Sequence, residues 1–356
     1  GDVYKRQAII TTDTTLSLVA WATDIDSNQW VVTDSPGISW SSNDSISELE
    51  PGKYQPSRIG YFYIAVHYQG LTDTCWLNIL PGQLTKIKIE TQSDGNGKEI
   101  EDTLLIAGSS LTMYALGYDA DNNLIGPVSV NWTNLTTGEF LSSIAGSSTT
   151  FQPFRTGEYQ IKAEHEQGFV DLTGLITVLP AEADTFLIKV NNLQPDLKAP
   201  IICTLYVYDR YFNLINNYQA QQIEITQIIK PTPLTEEGRQ SYFYDQAQEV
   251  IDGDNSGYIQ AGTNFQDGYK VIYITYNTTE ETLYFAFQEQ GNGIRGLSPG
   301  IVWKDPELIS HLKIYPVPFN IDQHQQMIIS YILKTNARLT IRIFTLEGAF
   351  VWEKDC

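Results

Sequence analysis

The run Phe151-Gln152-Pro153-Phe154-Arg155-Thr156-Gly157-Glu158-Tyr159-Gln160-Ile161-Lys162-Ala163-Glu164 joins a Pro and Gly turn to a strand. After Gly157 the apolar Tyr159, Ile161 and Ala163 alternate with the polar Gln160, Lys162 and Glu164, so one face packs inward and the other meets water. The same construction stands earlier in the chain. Tyr54-Gln55-Pro56-Ser57-Arg58-Ile59-Gly60 matches Phe151 to Gly157, and Phe62, Ile64 and Val66 then alternate with Tyr63, Ala65 and His67. Upstream, Val19-Ala20-Trp21-Ala22-Thr23-Asp24-Ile25-Asp26-Ser27-Asn28 aligns with Tyr114-Ala115-Leu116-Gly117-Tyr118-Asp119-Ala120-Asp121-Asn122-Asn123 at an offset of 95. Each is followed by a tryptophan, Trp40 or Trp132, and downstream Ile79-Leu80-Pro81 matches Val178-Leu179-Pro180. A third, more divergent copy has Tyr206-Val207-Tyr208-Asp209-Arg210-Tyr211-Phe212-Asn213 and then Phe265-Gln266-Asp267-Gly268 ahead of another strand. An internal repeat of this length is one small domain, so the chain is expected to contain tandem copies.

No segment of ten or more residues sustains a helical apolar stripe, so helix content is expected to be slight. About seven short strands per copy, joined by Gly, Asn, Asp and Pro turns, are the pattern of an all-β, antiparallel β-sandwich. Two details sharpen this to the immunoglobulin-like plan. Thr156-Gly157-Glu158-Tyr159-Gln160-Ile161 resembles the Gly-x-Tyr-x-Cys turn of that fold, with Tyr159 at the tyrosine corner and Ile161 in place of the disulfide cysteine. Trp132 and Trp40 fall where a core tryptophan is expected. Phe62 and Lys270 take the corner position in copies one and three, and copy three has no equivalent tryptophan. Cys75, Cys203 and Cys356 are too far apart for a zinc knuckle or an intradomain cystine framework, so they read as buried apolar thiols. Each core must then be held by apolar burial, about 25 cal/mol per Å² removed from water.

Composition agrees. The 356 residues carry 22 Lys and Arg against 42 Asp and Glu, a net charge of −20 that repels phosphate backbones and anionic lipid. With 42% hydrophobic and 18% charged residues the chain is too apolar for disorder, and no apolar run is long enough to span a membrane. Residues 1–7, Gly1-Asp2-Val3-Tyr4-Lys5-Arg6-Gln7, resemble translated sequencing-adapter sequence and are set aside. The expected division is 8–82, 83–181 and 182–308 for three Ig-like copies, the last divergent, with 309–356 as a further, truncated domain. Copy two begins with strands at 84–90 and 104–107, and residues 8–11 match only the second. Copy one is therefore expected to lack its first strand, exposing an edge prone to pair with another chain.

The tandem copies with their Ile-Leu-Pro junction and Asp-x-Asp-x-Asn hairpin resemble bacterial Ig-like (Big, invasin-type) repeats over roughly residues 8–308. A second resemblance lies in Leu312-Lys313-Ile314-Tyr315-Pro316-Val317-Pro318-Phe319-Asn320, Met327 to Leu333 and Leu339 to Trp352, including Leu346-Glu347-Gly348. These segments are similar to FlgD-like Ig domains and to C-terminal sorting domains of type IX secretion, with Val317 where Asn is usual. The resemblances imply a secreted or cell-surface bacterial protein whose partners are an extracellular protein or a glycan.

Catalytic constellations are thin. No nucleophile elbow, His-Glu-x-x-His or phosphate loop occurs, and His67, His165, His311 and His324 read as surface imidazoles, so no enzyme is expected. Asp24-x-Asp26-x-Asn28 and Asp119-x-Asp121-x-Asn123 place alternating oxygens in a loop, which calcium favours, and Asp252-Gly253-Asp254-Asn255 offers another set. Asp and Asn also build hairpin turns by bonding their own backbone, and plain turns are the favoured reading. Trp30, Trp76 and Tyr242-Phe243-Tyr244 are the candidates for stacking on sugar rings, with core packing the competing role. The expected function is a non-catalytic structural or adhesive repeat region, a spacer or display stalk with a C-terminal secretion or anchoring domain. The alternative is a carbohydrate-binding accessory region of a secreted multidomain hydrolase.

Overall fold

The structure is a computed structural model that describes residues 7–43, 46–137, 139–233, 238–244, 250–252, 256–279, 281–305, 309–315, 323, 326–333, 338–344 and 350–355. The fold is all-β, a tandem set of immunoglobulin-like sandwiches, and the one helical turn among the described residues is the 3-10 segment Gln266–Gly268. The chain divides into two compact units, residues 1–182 together with Tyr211–Asn213, and the remainder.

The first unit holds two cores. One is built from Ile46, Tyr54, Phe62, Ile64, Leu77 and Ile79. It lies between a sheet ordered Gln7–Thr11, Leu71–Leu80, Gly60–Tyr68, Ile38–Ser42 and a smaller one ordered Leu16–Ser17, Lys53–Gln55, Ser47–Glu50. The other core gathers Ile87, Ile89, Met113, Ala115, Trp132, Phe151, Tyr159, Ile161 and their neighbours. The two share a construction. Gln7–Thr11 runs parallel to Leu71–Leu80, and Thr103–Ile106 runs parallel to Ile176–Leu179. Strand Lys86–Glu90, which pairs antiparallel with Leu111–Tyr118, has no counterpart among the described residues of the first core. No strand crosses Pro81 or Pro180.

The tyrosine corner forms as its sequence requires. The Tyr159 hydroxyl donates to the Arg155 carbonyl at 2.9 Å, and Ile161, at the cysteine position, is fully buried. Trp132 is 2% exposed and its indole N–H donates to the Gly146 carbonyl at 3.0 Å. Phe62, lacking the hydroxyl, simply packs.

The second unit is organised differently. One sheet runs in the order Val250–Asp252, Ser241–Tyr244, Tyr269–Tyr276, Ile201–Asp209, Ala183–Val190, Arg295–Leu297, Thr282–Glu289, Ile223–Lys230, Ser256–Ile259. Its two halves pack on each other: Phe243 meets Phe285 edge-on at 5.8 Å between centroids. The missing strand tryptophan is replaced by Trp303, fully buried from beyond the last long strand, within 5.6 Å of Tyr276 and donating to the Ala199 carbonyl. Cys203 lies in this core, and burial pushes its thiol up to about 12. Cys75 is half-buried, and Cys356 lies outside the described residues.

Beyond this core stand two hairpins, Ile309–Tyr315 with Ile328–Leu333 and Thr340–Phe344 with Phe350–Asp355. None of the three cores takes a residue from them, and Leu312, Ile332 and Phe350 are exposed. The Pro316 to Asn320 motif and the Leu346 to Ala349 turn lie outside the described residues, as do residues 1–6, Asp44, Ser45 and His324.

Candidate functional site

The Asp-x-x-x-Asn turn recurs three times in the sequence. Its fourth residue is left-handed in every copy: Ser27 at φ 68°, Asn122 at φ 67° and Phe212 at φ 62°. Asn tolerates that region; a phenylalanine there is uncommon and marks a turn held by its surroundings. In the first copy Asp24 accepts the Asn28 N–H at 2.8 Å and the Asn28 amide at 2.9 Å. In the second Asp119 accepts the Asn123 N–H at 2.7 Å and the Asn123 amide at 2.9 Å. The loop is therefore the same object before anything else touches it.

What surrounds it differs. Asp24, Asp26 and Asn28 are exposed. Asp119 is fully buried, and its carboxylate also accepts from the Thr12 hydroxyl at 2.7 Å and the Gly82 N–H at 2.9 Å, while the exposed Asp121 donates its N–H at 3.0 Å. Asn123 donates to the Ser57 carbonyl at 3.1 Å. Nearby, Asp13 accepts the Gln83 N–H at 2.6 Å. The turn of the second core thus clasps the first core and the linker between them. A Cβ at Gly82 would stand 2.4 Å from the Oδ2 of the exposed Asp13 side chain, which would have to swing aside. The clasp has a repeat in the same unit: Asn213 donates to the Phe154 carbonyl at 2.8 Å and accepts the Thr156 N–H at 3.0 Å. Phe154 aligns with Ser57, so the asparagine meets the same carbonyl of the Gln-Pro-x turn both times.

Burial pushes the Asp119 carboxyl upward, but hydrogen bonds from Gly82, Asn123 and Thr12 to the charged form outweigh it and hold the group at about 2. Bonds from the Asn28 side chain and N–H lower Asp24 as well. The oxygens read as calcium ligands are engaged by N–H and O–H donors at Asp119. Among the described residues no three Asp, Glu, His or Cys side chains are grouped as a cation requires. Residues 253–255 of the third acidic set lie outside the described residues.

The second feature is a groove of about 620 Å³ in the first core, lined among others by Ala20, Trp21, Trp40, Ile64, Val66 and Asp73. Trp40 is half-buried there while its counterpart Trp132 is enclosed. Strand Trp21–Thr23 runs along this groove. A second, polar cavity beside the other core is lined by Glu99, Glu101, Asp102 and Asp171.

The aromatic candidates stand on three different strands. Trp30 is 47% exposed on the hairpin Trp21–Thr23 with Gln29–Val31, and Trp76 is 48% exposed on Leu71–Leu80. Neither lines the groove. Trp76 lies 5.3 Å from Tyr63 between centroids, tilted by 59°. Phe243 of the tyrosine-rich run is fully buried, so its middle residue serves the core. His67 bonds Ser41 and Thr72 on an exposed face.

No family model matches the chain, and no curated protein matches its sequence. Among solved structures, the Escherichia coli adhesin FdeC is 13% identical, with 80% of this chain and 88% of that one covered and a TM-score of 0.37. Surface layer protein SbsC, domains 4–9, is 15% identical over 84% of this chain and 43% of that one, TM-score 0.24. The Yersinia pseudotuberculosis adhesin InvE is 12% identical over 57% and 56%, TM-score 0.24. At these TM-scores the likenesses carry no weight, and the fold class rests on the strands and cores described above. No helix among the described residues is long and apolar enough to cross a membrane.

Proposed function

We propose that this chain is a non-catalytic repeat region of a secreted or cell-surface bacterial protein, a spacer or display stalk with adhesive loops. In this reading residues 8–82, 83–181 and 182–308 are three Ig-like modules, and 309–356 open a sorting or anchoring domain of FlgD-like type. The observation that carries it is the repeated clasp. An asparagine of the Asp-x-x-x-Asn turn bonds the carbonyl of a preceding Gln-Pro-x turn at both Ser57 and Phe154. Side-chain hydrogen bonds and a buried carboxylate at a junction restrict its motion, whereas a flexible tether has no use for them. Small-angle scattering tests the reading: an elongated particle that becomes more flexible in Asn123→Ala is expected, and one compact globule overturns it.

A second reading, a carbohydrate-binding accessory region of a secreted hydrolase, draws support from the half-exposed Trp76 beside Tyr63. Its test is retention on insoluble glycans that is lost in Trp76→Ala; no retention on any glycan removes it.

A further inference from the structure

The outward face of the first core's larger sheet has its own chemistry. Phe62 and Ile64 of Gly60–Tyr68, with Leu77 and Ile79 of Leu71–Leu80, point into the core, so the residues alternating with them point outward. On these two central strands Tyr61 stands opposite Asn78 and Tyr63 opposite Trp76. Tyr61 is 71% exposed and Trp76 48%. Trp76 and Asn78 lie two residues apart on one strand, about 6.8 Å along it, so an amide is placed next to both ring positions. The next rung holds Ser41, Ala65 and Thr74. Among the described residues, no outward position of this sheet carries Asp, Glu, Lys or Arg.

The fold does not impose that neutrality. Counted from Gly60 and Gly157, the positions of Tyr61, Ala65 and His67 are filled in the second core by Glu158, Lys162 and Glu164, and Lys162 pairs with Glu164 at 2.6 Å. Counted back from Ile79 and Val178, Trp76 corresponds to Leu175. An acidic chain thus puts charges on this face in one copy and rings, amides and hydroxyls in the other. A tyrosine that stays 71% exposed gives the core little, which leaves its ring free to meet a ligand.

The ligand's chemistry follows from what the face lacks as well as from what it holds. Aromatic rings offer flat apolar surface to the C–H face of a pyranose, while amides and hydroxyls bond its hydroxyl groups. Nucleobases also stack on rings, but their phosphates meet a net charge of −20 and no cation on the face. Acidic sugars call for Arg or Lys, which the face does not carry. A protein interface is built around an apolar centre, and here Thr74 and Asn78 flank Trp76 along its strand. We propose that this face, centred on Tyr61, Trp76 and Asn78, binds a neutral polysaccharide of pyranose units. The proposal rests on the carbohydrate-binding reading above and adds to it the site and the class of glycan. Tyr61 and Trp76 are the stacking platforms, and Asn78 bonds the sugar hydroxyls. Tyr63, 5.3 Å from Trp76 between centroids, props the indole from the side.

The test runs the whole chain through native gels containing β-1,4-glucan, β-1,3-glucan, galactan or mannan, with polygalacturonate as the anionic control, and titrates tryptophan emission with the matching oligosaccharide. Retardation by at least one neutral polysaccharide, and none by polygalacturonate, is expected. Affinity should fall about tenfold in Trp76→Ala, about fivefold in Tyr61→Ala and about threefold in Asn78→Ala, and stay unchanged in Trp30→Ala, whose ring lies on a different hairpin. Unaltered exchange of the Gly60–Tyr68 amides checks that each variant folds. Equal retardation by polygalacturonate overturns the neutral face and leaves the carbohydrate-binding reading standing. So does binding lost in Trp76→Ala but untouched in both Tyr61→Ala and Asn78→Ala. Retardation by no polysaccharide overturns both.

Discussion

The first and second cores share a strand plan, a parallel edge strand and a hairpin turn, yet among the described residues six hydrophobic side chains are buried in one and fourteen in the other. Lys86–Glu90 brings Ile87 and Ile89, each contributing about 1.5–3 kcal/mol when buried, and closes over Trp132. Tyr159 adds a hydroxyl that Phe62 lacks. Trp40 is half-buried where Trp132 is enclosed.

Removing each tryptophan gives the largest contrast. Trp132→Ala should cost about 3–5 kcal/mol and Trp40→Ala clearly less, because only the enclosed ring leaves a full cavity. Native-state hydrogen exchange of Gly157–His165 amides against Gly60–Tyr68 amides reads each core separately, which a single melting curve of a many-core chain does not. Equal costs would mean that the groove closes in solution.

The two turns come next. Asp119 sits at about 2 when folded and near 3.8 when unfolded, so its contribution is complete above pH 4 and is lost as pH falls from 3.8 toward 2. That is about 2 kcal/mol, at roughly 1.4 kcal/mol per pH unit. Asp119→Asn should remove a comparable amount and flatten the acid limb for residues 111–118, while Asp24→Asn should stay within about 0.5 kcal/mol. Loss of the contrast would break the clasp.

Tyr159→Phe isolates the corner hydroxyl and should cost about 1 kcal/mol in the second core, measured by the same exchange experiment. The smallest effect concerns calcium. Millimolar calcium should leave the melting temperature unchanged; a rise that disappears in Asp24→Asn with Asp26→Asn would instead assign the exposed first turn to a cation.

The repeat was legible because turn chemistry is local: Gly157, Tyr159 and the alternation behind them sit within ten residues and force the same hairpin wherever they occur. The clasp was not, because Thr12 lies 107 residues from Asp119 and Ser57 lies 66 from Asn123, and no pattern ties a threonine to a distant carboxylate. Acidic turn residues look alike whether they hold a cation, their own backbone or a neighbouring sheet. Nor did the third copy disclose its core, since the anchor comes from Trp303 and not from the repeat's tryptophan position.

Trp303 also sets an order of events. Tyr276 and Phe285 lean on an indole supplied by the last few residues of that core. A chain emerging from the ribosome can pair its strands up to Thr282–Glu289, but their interior has no lid until residue 303 has cleared the exit tunnel. Any stop codon shortly before that point would release a sheet with a greasy hole at its centre, a ready substrate for proteases.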